Sequence, residues 1–302
     1  MAICTLCPRE CAVDRERGER GVCGSGAVAR VARASLHAFE EPCLSGTRGS
    51  GTIFFSGCSL GCVFCQNREI SRAAVGKDMD RHALGSLMLS LQEAGAHNVN
   101  LVTASHFADR VAEALADVKP KLHIPVVYNS SGYERVETLR MLEGLVDIYL
   151  PDFKYASGEL AARYSAAPDY PEVAARAIAE MYRQTGAFVP DQDGMAQKGT
   201  MVRLLVLPSH RADAMAVLHL LAAAVPPSEI RLSLMSQYTP EFALDTPYSN
   251  LHRRVTRFEY ESVREEALRL GFDGYCQEKH AASAAYTPNF LEHCEQNFLE
   301  EL

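Results

Sequence analysis

The chain has 302 residues and is acidic, with 30 Lys and Arg against 38 Asp and Glu, a net charge of −8 and a pI of about 5.7. This length is sufficient for one barrel with a small appendage. The net charge argues against binding to a nucleic-acid backbone. The sequence contains no run of eighteen apolar residues, so it predicts no membrane-spanning helix. The amino terminus has Cys and charged residues where a signal peptide has an apolar core, so we expect a cytoplasmic protein whose ten thiols are reduced.

A first set of cysteines lies near the amino terminus. Four of them follow the pattern C-x2-C-x3-C-x11-C: Cys4, Cys7, Cys11 and Cys23. Pro8 and the nearby glycines predict turns, so the order of this segment would depend on a bound metal. Four thiols satisfy zinc and equally a second iron-sulfur cluster, and both remain open. We therefore predict a small Cys-rich metal-binding segment over residues 1–45 and a main domain over residues 46–302.

A second set of cysteines follows an apolar run that predicts a strand. Three thiols lie within eight residues: Cys58, Cys62 and Cys65. Their spacing would suit one face of a helix, but Gly57 and Gly61 disfavour a regular helix, so we predict a loop. Three thiolates are too few for a closed zinc site, but they suffice for three irons of a 4Fe-4S cluster and leave the fourth iron open. Buried packing thiols are the alternative, which the clustering disfavours.

From residue 51 onward, short β-rich runs alternate with helical stretches, which is typical of a parallel sheet. Six runs are predicted as strands: Thr52 to Phe55, Val99 to Thr103, Pro125 to Tyr128, Val146 to Leu150, Met201 to Leu207 and Ile230 to Met235. Apolar stripes at helical spacing between the strands predict core-facing helices. A late stripe from Tyr260 to Leu270 predicts a further helix that Gly271 would terminate.

Polar residues follow most of the predicted strands. They form four groups: 103–106, 129–132, 152–154 and 236–238. Because the carboxyl ends of barrel strands converge, we expect these groups to share one cavity with the three-cysteine loop. Taken singly, each residue could instead cap a helix or close a turn. Arg203 lies within a predicted apolar strand, where an unpaired cation is costly, so a carboxylate partner or a ligand is predicted for it.

Two polar segments marked by Gly and Pro are candidates for a lid over this cavity. They span residues 187–199 and 239–250. Ordinary surface loops are the alternative interpretation of both segments.

The three-cysteine loop, with Phe64 before its last cysteine, resembles the C-x3-C-x2-C signature of the radical S-adenosylmethionine (SAM) superfamily. Within that superfamily, the chain resembles uncharacterised relatives of the pyruvate formate-lyase activating enzyme. The similar segments span almost the whole chain: 4–11, 41–43, 57–67, 128–133, 147–155, 205–208 and 235–240. The resemblance implies an α/β fold with a partial, six-stranded (β/α) barrel, a 4Fe-4S cluster on Cys58, Cys62 and Cys65, and SAM bound to the open iron.

The resemblance also implies which residues contact SAM. Asp152 and Lys154 match an Asp-x-Lys motif that helps to hold it. Further contacts are expected from Phe64, Asn129, Ser131, Arg203 and Gln237. Activating enzymes usually have Gly-Gly-Glu after the second strand to receive the SAM amino group. This chain has Ala104, Ser105 and His106 there, so Ser105 or His106 is expected to substitute.

The activity implied by the resemblance is reductive cleavage of SAM to a 5′-deoxyadenosyl radical that abstracts hydrogen from an unidentified substrate, a small molecule or a protein. A flavodoxin or ferredoxin would supply the electron. Activation of a glycyl radical enzyme is an alternative, although activators with extra clusters carry their extra cysteines after the SAM motif, whereas here they precede it. A non-catalytic iron-sulfur or zinc scaffold is an alternative of another class, which the retained Asp152, Lys154 and Arg203 disfavour.

Overall fold

A mostly parallel sheet of ten strands organises the part of the chain that the computed structural model describes, residues 3–72 and 74–276. The strands are β1 (Ala29–His37), β2 (Ser50–Phe55), β3 (Lys77–Met79), β4 (Val99–Val102), β5 (Val126–Ser130), β6 (Ile148–Pro151), β7 (Val189–Pro190), β8 (Ala196–Leu205), β9 (Arg231–Met235) and β10 (Asp273–Cys276). Seven run parallel in the order β2-β4-β5-β6-β8-β9-β10. The antiparallel pairs are β1 with β2, β3 with β1, and β7 with β8.

All six predicted strands are confirmed, and they are neighbours in chain order, as consecutive strands are in a β/α barrel. The described strands do not close on themselves, since β3 and β10 form the two edges of the sheet. The prediction missed β1, β3, β7 and β10. Since β1 pairs along β2, the chain joins the sheet at Ala29, well before the predicted boundary at residue 45.

Helices cover the sheet along most of its length. The described α-helices are α1 (Pro42–Ser45), α2 (Arg68–Ser71), α3 (Arg81–Glu93), α4 (Ala108–Val118), α5 (Val136–Arg140), α6 (Gly158–Ser165), α7 (Tyr170–Thr185), α8 (Arg211–Ala224) and α9 (Arg257–Arg269). Short 3-10 turns span Arg15–Arg17, Ser105–Phe107, Lys119–Lys121, Pro227–Glu229, Pro240–Phe242 and Ser249–Leu251. None of the described helices has the length and hydrophobicity needed to cross a membrane.

The predicted helical stripes are confirmed as core. Helix α9 begins with a capping box between Thr256 and Glu259 and ends before Gly271, whose φ of +84° is a conformation that glycine adopts readily. Two further predictions from the sequence fall on residues whose structure is not described. They are a packing role for the isolated Cys294 and a solvated acidic end formed by Glu292, Glu295, Glu300 and Glu301.

The two faces of the sheet are buried in different ways because side chains alternate along each strand. On the outer face, Tyr128 and Tyr149 pack among the apolar residues of α3, α4 and α7. On the inner face, Val127 and Met201 pack against Leu44 of α1. Helix α1 therefore fills the amino-terminal part of the inner face, which leaves the carboxyl ends of the strands accessible.

The two candidate lids lie at opposite ends of the sheet. Residues 187–199 contain β7, which forms a hairpin with the first residues of β8 at the amino-terminal edge of the sheet. Residues 239–250 follow β9 at the carboxyl edge. A segment at the amino-terminal edge is too far along the strands to cover their carboxyl ends, so the lid interpretation of residues 187–199 is wrong.

Candidate metal and cofactor site

The three-cysteine loop between β2 and α2 is irregular, as predicted. Its glycines have φ values in the left-handed region, +90° at Gly57 and +64° at Gly61. Both are also closely packed. A Cβ at Gly57 would lie 2.7 Å from the carbonyl oxygen of Cys23, and one at Gly61 would lie 2.9 Å from the guanidinium carbon of Arg72. The loop path therefore requires glycine at Gly57, where the neighbour is backbone, and its left-handed φ favours glycine at Gly61.

This loop forms one wall of a cleft at the carboxyl edge of the sheet, with a volume of about 330 Å³. Such a volume is within the range of small-molecule sites, roughly 300–1,000 Å³. All three cysteines line the cleft, and so do seven other predicted site residues: Phe64, Asn129, Ser131, Asp152, Lys154, Arg203 and Gln237. The predicted convergence of residues from separate strand ends is therefore present in the fold.

Burial favours the protonated form of two of the loop thiols, Cys58 and Cys65. Burial raises the pKa of Cys58, and it raises that of Cys65 to about 12, with the charges of Cys62 and Cys58 adding to the effect. Ser165 Oγ donates a hydrogen bond to Cys62 Sγ over 3.0 Å, and the backbone amide of Leu60 donates to Cys58 Sγ over 3.4 Å. A bound metal would supply the positive charge that stabilises these thiolates.

The described residues do not include three His, Cys, Asp or Glu side chains that are already arranged around a single ion. Three thiolates that each bind a different iron of a cluster do not need to converge on one point. The donor set of the loop, three thiols facing a cleft with room beside them, therefore fits a cluster with an open iron.

Asp152 and Lys154 form an ion pair beside the thiols. Lys154 Nζ lies 2.5 Å from Asp152 Oδ2, and the lysine side chain is 18% exposed. Burial lowers the pKa of Lys154, but the charges of Asp152 and Cys62 outweigh burial and raise it. The buried Tyr170 hydroxyl accepts a hydrogen bond from the Lys154 amide over 2.9 Å and lies 2.8 Å from the carbonyl of Ser131. The pair is therefore a fixed, charged feature of the cleft wall.

Arg203 has the carboxylate partners that the sequence predicted. Its Nε and Nη2 donate to Glu41 over 2.7 and 2.6 Å, and Nη2 also contacts Glu40. Its Nη1 lies 3.5 Å from Asn129 Oδ1. Two carboxylates therefore face one guanidinium, with 6–8% of each glutamate side chain exposed. No role was predicted for Glu40 or Glu41, which lie more than 160 residues from Arg203 in the chain.

Ser105 and His106 do not lie in the cleft. The chain turns at Thr103, which has a φ of +62° and lines the cleft itself. The 3-10 turn that follows buries Ser105 against Glu134, and His106 Nε2 donates to the carbonyl of Ser56 over 2.8 Å. This placement corrects the expectation that either residue faces the cleft near the loop thiols.

The amino-terminal cysteines line a second, small cavity of about 10 Å³ together with Arg15 and His106. The segment is attached to the three-cysteine loop by Arg9, which donates to the carbonyls of Ser59 and Ser165 over 2.8 and 2.9 Å. Burial raises the pKa of Cys7 to about 12, and the charges of Cys23 and Cys11 contribute. The two sets of cysteines are therefore in adjoining sites.

Glu134 is a buried carboxyl whose charge acts on Cys7 of the amino-terminal segment, so it provides a test of this packing. Burial raises its pKa to about 7, although the hydroxyl of Ser105 donates a hydrogen bond to it. Because the folded pKa exceeds the unfolded value of 4.5, the stability that the protonated group contributes is present below pH 4.5 and lost as the pH rises through 7. The variant Glu134→Gln has no carboxyl to titrate at this position. Between pH 5 and pH 8, we expect the wild type to lose about 3 kcal/mol more of its free energy of unfolding than the variant loses.

The measurement is urea denaturation at both pH values, with exposed Glu93→Gln as the matched control. Equal pH dependence in the wild type and Glu134→Gln would contradict the buried, protonated state of Glu134.

The fold and site define an α/β protein whose mostly parallel sheet carries a three-cysteine loop at its carboxyl edge. The chain belongs to the same family as the uncharacterized protein MJ0674 of Methanocaldococcus jannaschii, to which it is 30% identical over 280 residues, covering 89% of this chain and 75% of the relative. No family model matches the chain. Among solved structures, methylornithine synthase (PylB) is similar with a TM-score of 0.44 and 17% identity. That match covers 70% of this chain and 58% of the PylB chain, which is less than two thirds of its length.

Proposed function

We propose that the protein is a radical SAM enzyme in which Cys58, Cys62 and Cys65 hold a 4Fe-4S cluster and the cleft binds SAM. The observation that carries the proposal is that the three thiols share one cleft with the Asp152–Lys154 pair at the carboxyl edge of a parallel sheet. When bound, a cluster and SAM supply one-electron cleavage of the sulfonium and a 5′-deoxyadenosyl radical that takes hydrogen from a substrate.

The chain's own residues would orient the ligand and exclude water. Lys154 and Asp152 offer a donor and an acceptor of fixed direction beside the thiols. Asn129 offers an amide at the end of β5. Phe64 packs edge to face with Tyr238 at 6.0 Å between ring centroids, which places apolar surface next to the cysteines. Exclusion of water protects a reactive radical from side reactions.

The finer parts of the proposal rest on the resemblance. They are a partial six-stranded barrel and the relation to the pyruvate formate-lyase activating enzyme. A flavodoxin or ferredoxin as electron donor belongs to the same group. The metal proposed for the amino-terminal segment rests instead on the spacing of its four cysteines. Glu40 and Glu41, paired with Arg203, make the wall of the cleft polar in any of these versions.

The test is anaerobic reconstitution with iron and sulfide, followed by electron paramagnetic resonance with and without SAM. We expect a reduced cubane signal that changes when SAM is added, and 5′-deoxyadenosine on addition of dithionite. A cluster without any response to SAM would favour a scaffold. A glycine-centred radical on an added partner protein would identify an activating enzyme.

Residues 239–250 are proposed as the lid of the cleft. Gln66 Nε2, next to the last loop cysteine, donates to Thr239 Oγ1 over 3.3 Å, and Arg68 lies 3.5 Å from Asp245. We expect SAM to slow proteolysis within residues 239–250 severalfold, because closure over the ligand orders the segment. Cleavage within the hairpin of residues 187–199 is the internal control and should not change. Equal rates at both segments with and without SAM would contradict the lid.

A further inference from the structure

The cavity of the amino-terminal segment contains an imidazole that comes from the sheet domain. His106 lines it together with four thiols: Cys4, Cys7, Cys11 and Cys23. The His106 side chain is 1% exposed, and its Nε2 is occupied by the carbonyl of Ser56. Among the described residues, its Nδ1 has no hydrogen-bond partner. Because a carbonyl only accepts, the proton is on Nε2 and Nδ1 carries a free lone pair.

We propose that this cavity binds a single zinc ion, with His106 Nδ1 and the thiolates of Cys7, Cys11 and Cys23 as its ligands. A buried, unpaired imidazole lone pair is the donor that a tetrahedral zinc site with three cysteines requires. Binding would release three thiol protons and none from the neutral histidine. The inference rests on the amino-terminal cavity and is independent of SAM.

Charge and space favour this set over four thiolates or a cluster. Zinc with three thiolates and one neutral imidazole has a net charge of −1, which the cation of Arg15 on the cavity wall balances. The other charged group of the wall, Glu10, is paired with Arg135 at 2.7 Å. Four thiolates would leave a charge of −2 and His106 unpaired. Cys4 Sγ instead lies 3.9 Å from Arg15 Nη1. A cavity of about 10 Å³ has room for about one small sphere, and a single ion needs less space than a cubane. The described side chains are not already arranged around an ion, so zinc binding requires the thiols to turn toward Nδ1 of His106.

The assignment joins the two cysteine sites through one side chain. The other nitrogen of His106 holds the carbonyl of Ser56, which directly precedes Gly57 and the three-cysteine loop. The backbone of Cys23 approaches Gly57 too closely for any side chain there. A zinc ion on His106 would therefore fix the base of the loop, since outer contacts orient metal ligands and are oriented by them.

The decisive measurement is X-ray absorption of the full-length protein at the zinc edge. Iron does not contribute to the signal at this edge. We expect one zinc per chain, with three sulfurs at about 2.3 Å and one nitrogen at about 2.0–2.1 Å. A shell of four sulfurs, or a protein with two iron clusters and no zinc, would overturn the proposal. This result does not depend on any variant folding or on activity with SAM.

Variants test the individual ligands by competition with a zinc chelator. His106→Ala should weaken zinc binding at least about 10-fold, since even outer-shell changes reach 10- to 100-fold, and His106→Cys should restore it. His82→Ala, at an exposed histidine on α3, is the control. Cys7→Ala should lose zinc, whereas Cys4→Ala should keep the shell of three sulfurs and one nitrogen. Unchanged affinity in His106→Ala, or loss of zinc in Cys4→Ala alone, would overturn the assignment.

Discussion

Cys62→Ala is expected to abolish iron binding at the three-cysteine loop and to reduce 5′-deoxyadenosine formation to the background of a protein-free mixture. Cys62 lies between the other two loop thiols in sequence and its charge acts on both, so its removal leaves two ligands for a cluster that needs three. Its Sγ also accepts a hydrogen bond from Ser165. In the variant, the Ser165 hydroxyl loses this acceptor. Iron and acid-labile sulfide, together with the product yield, measure the effect.

Cys43→Ala is the matched control, because the substitution is the same and the thiol is also buried. Cys43 packs with Leu44 against the inner face of the sheet and is 3% exposed. It should lose some stability through the small cavity that the change creates, but retain iron and product formation. Iron retained in Cys62→Ala with SAM cleavage at the wild-type rate would show that the cluster is elsewhere.

The features that the sequence predicted well are local ones. The three-cysteine loop was predictable because glycine conformation and thiol spacing act within a few residues. The six parallel strands were predictable because strands buried on both faces are largely apolar runs, as β6 is throughout and β4 is except at Asn100. The short strands β3 and β7 have mostly exposed residues and no such signal.

The features that the sequence did not predict depend on tertiary contacts. A carboxylate partner was predicted for Arg203, but no local pattern identified Glu40 and Glu41 as that partner among the many acidic residues. His106 was expected beside SAM because it follows a strand, yet the positive φ of Thr103 directs the next turn away from the cleft. A residue's position after a strand predicts the edge of the sheet at which it lies, but the direction of its side chain depends on the turn that follows, here the one after Thr103.

Arg203→Met should lower the free energy of unfolding by about 3–5 kcal/mol, the cost of removing one partner from a buried ion pair. Two carboxylates with little exposure would then face each other without a cation. Urea denaturation at pH 8 measures the loss. The triple variant Arg203→Met with Glu40→Gln and Glu41→Gln should recover most of it, because neutral amides of the same shape need no counter-charge.

The pH dependence of Arg203→Met should be opposite to that of the wild type. In the wild type, burial alone would raise the pKa of Glu41, but Arg203 outweighs it and holds the pKa low, so this carboxylate contributes stability above its unfolded pKa of 4.5 that is lost as the pH falls. Without the cation, burial raises the folded pKa, and the variant should gain stability as the pH falls toward 4.5. A single variant as stable as the wild type at pH 8, or a triple variant no more stable than the single one, would show that the two glutamates are not held by Arg203 in solution.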